Sequence, residues 1–241
     1  MKCNDRKLFG VNKNDQIKAL VFDLDGTLFD TLPSLAGAAN AVLRHAGLQE
    51  VPAHMLRIPL SQGLGPMFSY ALALQPKELD LAASQALAEQ FLSVYAHQFF
   101  PQARLYEGVL ELMEHLRSDG LNLAICTNRD RVSAQALLAA SPLAGYFATV
   151  VGRGDAPQPK PAPDLLLHTL HRLAVSPSQV LFVGDSLLDA RCAEQSQVRF
   201  AAYLGGYAAQ AEDLQPYVLR FEHHAQLADW VRAEAEANAH A

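Results

Sequence analysis

Two aspartates stand at the end of an apolar run near the amino terminus. Residues 19–22 read Ala-Leu-Val-Phe, and Asp23 and Asp25 follow at positions two apart. Four successive apolar residues without polar alternation are typical of a buried strand in a parallel sheet. Residues two apart in an extended chain project to the same side, so both carboxylates can face one ligand. Because adjacent carboxylates repel each other unless a cation, a proton or different roles separate them, the pair indicates a reactive site.

A hydroxyl and a lysine occupy comparable positions further along the chain. Residues 121–126, apolar except for Asn122, predict a second strand, which is followed by Thr127 and Asn128. Lys160 lies between two prolines, which restrict the backbone and so fix the direction of the ammonium group. Two simpler interpretations stay open at this point. Thr127 could cap the next helix, and Lys160 could be a solvated surface residue.

A third apolar run precedes two more acids. Residues 180–183 read Val-Leu-Phe-Val, and Gly184, Asp185 and then Asp189 follow. If a helix begins here, the second acid lies one turn beyond the first. In open α/β sheets, ligands bind at the edge formed by the carboxyl ends of the strands. The acids, the threonine and the lysine are therefore predicted to meet at that edge, although Asp-Gly after the first run could also be a plain surface turn.

Taken in order, these motifs resemble the haloacid dehalogenase (HAD) superfamily, whose members are mostly phosphotransferases. Residues 23–27, Asp-Leu-Asp-Gly-Thr, match motif I of that superfamily, and Thr127 and Lys160 match motifs II and III. The Gly-Asp-x-x-x-Asp pattern at 184–189 matches motif IV. The resemblance covers about residues 17–230 and is nearest to the phosphoglycolate phosphatase-like branch.

The resemblance implies a Mg²⁺ cofactor. In the family the metal is held by the first aspartate, the backbone carbonyl of the second and the first motif IV aspartate, which correspond to Asp23, Asp25 and Asp185. Asp189 would be a further ligand or would orient the others. An all-oxygen set of this kind suits Mg²⁺ bound beside a substrate phosphate.

The resemblance also implies a Mg²⁺-dependent phosphatase that hydrolyses a small phosphomonoester. Asp23 would attack phosphorus and form an aspartyl-phosphate, and Asp25 would act as general acid and then as general base. Thr127 and Lys160 would neutralise the phosphoryl oxygens, with Asn128 beside them as a further substrate-binding candidate.

The order of apolar runs predicts an α/β fold, with a doubly wound, Rossmann-like parallel sheet and an inserted α-helical domain. Residues 32–102 are rich in alanine and leucine at helical spacing, and the resemblance identifies this insert as a C1 cap. The core is predicted to comprise residues 17–31 and 103–232. An amino-terminal extension, 1–16, and a carboxyl-terminal tail, 233–241, are expected to flank it.

A glycine-rich loop lies between two predicted cap helices. Residues 61–66 read Ser-Gln-Gly-Leu-Gly-Pro, and such a backbone can approach a ligand closely. By resemblance to C1-capped phosphatases the loop faces the active site, which makes Arg57 and Gln62 candidates for substrate binding. The alternative is an ordinary turn between two helices.

Composition argues against nucleic acid and membranes as partners. The 241 residues carry a net charge of −6, with lysine and arginine dispersed along the chain. No stretch reaches the ~18 apolar residues that span a bilayer, and the amino terminus lacks the apolar core of a signal peptide. Cys3, Cys126 and Cys192 match no metal-binding spacing and indicate reduced thiols in the cytoplasm. The expected partner is a small phosphorylated metabolite, and the oligomeric state stays open.

Other functions share part of this pattern. A β-phosphoglucomutase-like phosphomutase uses the same motifs and cap but returns the phosphoryl group to a sugar, and a pyrophosphatase of the same family is a further alternative. Receiver domains also place acids, a threonine and a lysine at strand ends, but they are shorter and lack the helical insert. Asp25 favours phosphoryl transfer over dehalogenation, because a dehalogenase needs no acid for a leaving alcohol.

Overall fold

A parallel sheet forms the centre of the protein. The computed structural model describes residues 16–76, 78–97, 103–208 and 210–239. In that part of the chain the strands are β1 (Ala19–Phe22), β2 (Phe29–Asp30), β3 (Arg104–Leu105), β4 (Asn122–Asp130), β5 (Thr149–Arg153), β6 (Val180–Gly184), β7 (Arg199–Tyr203) and β8 (Leu219–Phe221). The main sheet has the order β5-β4-β1-β6-β7-β8, and every neighbouring pair in it is parallel.

Helices cover both faces of this sheet. The helices of the described residues are α1 (Leu32–His45), α2 (Ala53–Leu60), α3 (Leu64–Ala73), α4 (Leu81–His97), α5 (Val109–Ser118), α6 (Arg131–Ala139), α7 (Asp164–Leu173), α8 (Leu187–Gln195) and α9 (His224–Ala239). Apolar residues of α5, α6 and α9 pack with Leu20 and Phe22 of β1, whereas those of α7 and α8 pack with Ala19 and Val21. The central strand is apolar throughout because each of its side chains enters one of two cores.

This arrangement confirms the predicted fold class, an α/β protein with a doubly wound parallel sheet and a helical insert. One strand boundary differs from the prediction. The strand β4 continues past Cys126 to Asp130, with a register shift against β5 between those two residues. A short apolar run indicates a strand but does not fix its register.

The insert, which we call the cap, consists of α1 to α4. Its helices enclose a separate apolar cluster in which the rings of Phe68 and Phe91 stack with centroids 4.7 Å apart. The chain enters the cap after β2 and leaves it before β3. These two strands form an antiparallel pair, with Phe29 opposite Leu105.

The domain limits given above stay predictions. Residues 1–15 and 98–102, which include Cys3 and the predicted end of the cap, lie outside the described residues. At the other end, α9 runs without a break from His224 to Ala239 and passes the predicted tail boundary at 232. Within the described chain, no helix combines the length and apolar character needed to cross a bilayer.

The stability of the cap should depend on the Phe68–Phe91 stack. Phe91 is buried, so Phe91→Ala is expected to lower the free energy of unfolding by about 3–5 kcal/mol. The adjacent Leu92 is 39% exposed, and Leu92→Ala should cost less than about 1 kcal/mol. Urea denaturation followed by circular dichroism measures both. Equal losses for the two variants would contradict the assignment of Phe91 to the cap core.

Candidate active site

Two neighbouring strands bring three aspartates together. Asp23 follows β1 and donates its backbone N–H to the carbonyl of Val183 in β6, 2.9 Å away. Asp185 follows β6, and Asp189 lies in the first turn of α8. One carboxylate oxygen from each of Asp23, Asp185 and Asp189 lies within 4.8 Å of the others, and all three residues are buried. We call this group the acidic cluster.

Lys160 is the cation within the acidic cluster. Its ammonium group lies 2.7 Å from Asp23 Oδ1 and 2.5 Å from Asp189 Oδ1, and it also donates to the carbonyl of Cys126. The residue is 4% exposed, so these groups replace its hydration shell. The position is therefore that of an internal counter-ion and not of a solvated surface lysine.

One ammonium group does not balance three carboxylates. With all groups ionised, the cluster and Lys160 carry a formal charge of −2. Burial raises the pKa of Asp23 to about 7, against the attraction of Lys160, and burial together with Asp189 and Asp23 raises the pKa of Asp185 well above its ordinary value. Burial would lower the pKa of Lys160, but Asp189 and Asp23 raise it, which keeps this group charged. The uncompensated charge favours a bound cation.

The donor chemistry of the cluster fits a hard divalent cation. Its ligand atoms are all carboxylate oxygens, and none of its members is a histidine or a cysteine. Asp189 is engaged by Lys160 and by both the N–H and the hydroxyl of Ser186. Asp185 accepts hydrogen bonds from the Thr27 hydroxyl at 2.8 Å and from the Tyr207 N–H at 2.7 Å. These contacts orient the carboxylates as outer-shell partners do in metal sites.

Two glycines allow the chain to pass close to Asp185. A Cβ on Gly26, whose φ is +92°, would lie 2.4 Å from Asp185 Oδ2, and a Cβ on Gly206 would lie 2.3 Å from the same atom. No side chain fits at those distances. Gly26 belongs to the predicted motif, whereas the requirement at Gly206 has no marker in the sequence beyond a Gly-Gly pair.

Asp25 lies outside the acidic cluster and pairs with Arg129. The guanidinium group binds both carboxylate oxygens, with Nε 3.0 Å from Oδ2 and a terminal nitrogen 2.5 Å from Oδ1. Burial would raise the pKa of Asp25, but the charge and hydrogen bonds of Arg129 outweigh it and hold that pKa below its ordinary value. Arg129 also lies over the ring of Tyr95 in α4, 5.0 Å from its centroid, so the pair touches the cap. Sequence analysis did not identify Arg129, although it adjoins the Thr127-Asn128 motif.

The other two residues of that motif have different tasks. The Asn128 side chain accepts from the N–H of Lys160 and donates to its carbonyl, at 2.8 and 2.9 Å, which fixes the backbone that carries the lysine. Thr127 is buried, and its hydroxyl accepts from the N–H of Arg129. Asp130, not Thr127, caps α6 by accepting from the N–H of Ser133. The capping interpretation of Thr127 is therefore wrong.

A cavity of about 160 Å³ lies between these residues and the cap. Asp23, Asp25, Thr127, Asn128 and Lys160 are among the core residues that line it. From the cap come Leu60, the last residue of α2, and two residues of the predicted loop, Gly63 and Leu64. The loop therefore lies at the cavity, as predicted, and borders it with a glycine and an apolar residue.

The two cap candidates for substrate binding lie elsewhere in the described structure. The guanidinium group of Arg57 donates to the carbonyl of Gly206 and, at 3.4 Å, to that of Gly205, and so joins the cap to the loop after β7. Gln62 is exposed. Neither side chain lines the cavity, so a role in substrate contact stays a prediction for both.

Tyr207 is a second residue that sequence analysis did not identify. Its hydroxyl accepts hydrogen bonds from the N–H groups of Thr31 and Leu32, at 2.8 and 3.0 Å, where the chain enters α1. Its own N–H binds Asp185, as described above. One residue thus connects the entry to the cap with the acidic cluster. No motif predicts this, because the partners are far apart in the sequence.

Comparison with known proteins identifies the family. Residues 20–203 match the model of the haloacid dehalogenase-like hydrolases. Phosphoglycolate phosphatase of Nitrosospira multiformis is 36% identical over 181 residues, which cover 73% of this chain and 78% of that protein. The enzyme of the same name from Rhodospirillum rubrum is 33% identical over 218 residues, which cover 89% of this chain and 90% of that protein. The chain therefore belongs to the haloacid dehalogenase-like hydrolase family.

Solved structures agree with this assignment. A crystal structure from Haemophilus somnus, described as a predicted phosphoglycolate phosphatase, superposes with a TM-score of 0.78 at 27% identity. The alignment covers 89% of this chain and 98% of that one. The resemblance drawn from the sequence motifs and the expected enzyme class, a phosphoric monoester hydrolase of this family, are confirmed.

The close approach at Gly206 gives a test of the site. Gly206→Ala would push a methyl group into Asp185, so we expect a loss of about 1–3 kcal/mol in unfolding free energy together with weaker binding of divalent cations. Gly65→Ala is the matched control, because nothing lies within 4 Å of a Cβ at that position. Denaturation curves and calorimetric Mg²⁺ titrations measure the two effects. A Gly206→Ala protein that matches the Gly65→Ala protein in both would refute the packing argument.

Proposed function

We propose that this protein is a Mg²⁺-dependent phosphatase that hydrolyses a small phosphomonoester through an aspartyl-phosphate on Asp23, with phosphoglycolate as the first substrate to test. The observation that carries the proposal is the acidic cluster, with Lys160 bridging two of its members beside a small cavity. The names of the two relatives above support phosphoglycolate as substrate. The volume of about 160 Å³ suits a small ester.

Asp23, Asp185 and the backbone carbonyl of Asp25 would hold Mg²⁺, and Asp189 would orient the site through Lys160. Bound there, the ion would neutralise both the carboxylates and the oxygens of the phosphoryl group. Lys160 supplies a positive charge next to the attacking oxygen of Asp23, since the two groups are 2.7 Å apart. Thr127 and Asn128 line the same cavity.

The reaction would proceed in two displacements. In the first, a carboxylate oxygen of Asp23 forms a bond to phosphorus while the bond to the ester oxygen breaks, and Asp25 gives its proton to the leaving alcohol. In the second, water attacks the same phosphorus, Asp25 takes a proton from that water, and the bond to Asp23 breaks. Inorganic phosphate and the free carboxylate of Asp23 result.

Arg129 would influence the protonation state of Asp25 in this mechanism. In the structure the pair favours the carboxylate, which is the form needed for the base in the second step. Before the first step, the negative charge of the substrate phosphate would raise the pKa of Asp25 and so favour the acid form, which then loses its proton to the leaving alcohol.

The cap would close the cavity to bulk water during these steps. Leu60 and Leu64 supply apolar surface over the acidic residues. We propose that the cap domain spans residues 32–102 and the core 17–31 and 103–232, which the separate apolar clusters of the described residues support. We also propose a cytoplasmic location, supported by the buried free thiols of Cys126 and Cys192.

The first experiment measures phosphate release from phosphoglycolate and a panel of small phosphomonoesters, with Mg²⁺ or with EDTA. Asp23→Asn should lower Mg²⁺-dependent release by more than about 1,000-fold, because an amide oxygen is a poor nucleophile. Asp119→Asn, at an exposed position, is the control. Release that survives EDTA or Asp23→Asn would refute the mechanism. Formation of an isomer in place of inorganic phosphate would instead indicate a phosphomutase.

A second experiment tests the two roles of Asp25. With p-nitrophenyl phosphate, whose leaving group needs no proton, Asp25→Asn should phosphorylate Asp23 but should fail to activate water. We expect a burst of one p-nitrophenolate per enzyme molecule followed by slow turnover, and a mass increase of one phosphoryl group on the peptide that contains Asp23. Steady turnover at the wild-type rate, without a burst, would show that Asp25 is not the base.

A further inference from the structure

Three basic side chains line the cavity of the described residues, and they differ in their partners. Arg129 binds the carboxylate of Asp25, and Lys160 binds those of Asp23 and Asp189. The third is Arg153, the last residue of β5. Neither the fold nor the proposed mechanism gives Arg153 a task.

Within the described chain, Arg153 forms no ion pair with a carboxylate, although acidic residues lie near it. Asp130, its register partner across β4 and β5, accepts a hydrogen bond from Ser133 as the cap of α6. Asp155, two residues further on, pairs with Arg131 at 3.3 Å. The side chain of Arg153 is exposed, so its guanidinium group can bind an anion that enters the cavity.

The backbone that carries Arg153 is held in place. A Cβ on the preceding Gly152 would lie 2.6 Å from the N of Arg131, so strand β5 packs directly against the start of α6. The Gly152 N–H also donates to Asp155 Oδ2 at 3.0 Å. Burial raises the pKa of Tyr95 in α4, whereas the charges of Arg129 and Arg153 act against this shift, which indicates that the charge of Arg153 is felt at α4 of the cap.

We propose that Arg153 determines specificity by binding an anionic group, in particular a carboxylate, on the alcohol part of the substrate. This inference rests on the proposed phosphatase function. Asp23, Lys160 and Arg153 line the same cavity of about 160 Å³, so with the phosphoryl group at Asp23 the alcohol part of a small ester would share that space with the guanidinium group. Arginine matches the planar geometry of a carboxylate through two parallel hydrogen bonds. A neutral alcohol part gains no such contact.

The test compares two esters of similar size, phosphoglycolate and 2-hydroxyethyl phosphate, with wild type, Arg153→Met and Arg220→Met. Arg220 is exposed in β8, at the opposite edge of the sheet from β5, so its variant removes the same charge far from the cavity. The measured quantity is the ratio of kcat/KM for phosphoglycolate to that for 2-hydroxyethyl phosphate. Arg153→Met should lower this ratio by roughly 10- to 100-fold. Arg220→Met should retain the wild-type ratio.

The outcomes distinguish a failure of the Arg153 proposal from a failure of the proposed phosphatase function. Absence of Mg²⁺-dependent phosphate release from any ester overturns both. If both esters release phosphate and the ratio of kcat/KM is equal in wild type and Arg153→Met, the inference alone is overturned. Arg153→Gln retains hydrogen-bonding capacity but not the charge. It should lower the ratio as much as Arg153→Met does if the charge is responsible. Ethylene glycol bisphosphate, as a third substrate, tests whether a second phosphate serves as well as a carboxylate. A larger effect of Arg153→Met on that ester than on phosphoglycolate would overturn the preference for carboxylates.

Discussion

The burial of three carboxylates around one ammonium group is the constraint on which the site depends. Water cannot screen these charges, since Asp185 and Asp189 have no exposed surface and Asp23 has 7%. Lys160 lowers the repulsion between Asp23 and Asp189, and hydrogen bonds from Thr27 and Tyr207 hold Asp185. A residual negative charge remains, and a bound cation would offset it. The fold tolerates this cost because helices on both faces of the sheet bury a large apolar surface.

The parallel sheet solves the problem of holding such charges together. β1 and β6 are neighbours and end at the same edge, so the residues after them meet without a special loop. β4 pairs with β1 on the other side, and its residues Thr127, Asn128 and Arg129 lie just beyond the last pair of that ladder, at the same edge. From there Asn128 holds the backbone of Lys160. Each strand thus positions one part of the site, and hydrogen bonds such as those of Asn128 position the residues that do not follow a strand.

Much of this site could be predicted from the sequence, for a clear physical reason. Asp23, Asp185, Thr127 and Lys160 follow apolar strands or lie in a proline-restricted segment, and those patterns are local. Arg129 escaped notice because an arginine after a threonine has many possible partners, and only the fold brings Asp25 to it. The contacts of Tyr207 and Arg57 likewise join segments far apart in the chain. The extent of β4 beyond Cys126 and its register shift against β5 could not be predicted for the same reason, as they depend on the neighbouring strand.

The short β2–β3 pair has a consequence for the evolution of such a protein. It holds the two ends of the helical insert side by side, with Phe29 opposite Leu105 and Asp30 opposite Arg104. Adjacent strands are separated by ~5 Å, a gap that a tight turn can bridge. The main sheet would therefore keep its strand order if recombination exchanged the insert for one of another length. Such an exchange would change the cap, and with it the range of substrates that fit beneath it. The strand ends that carry the aspartates would stay in place.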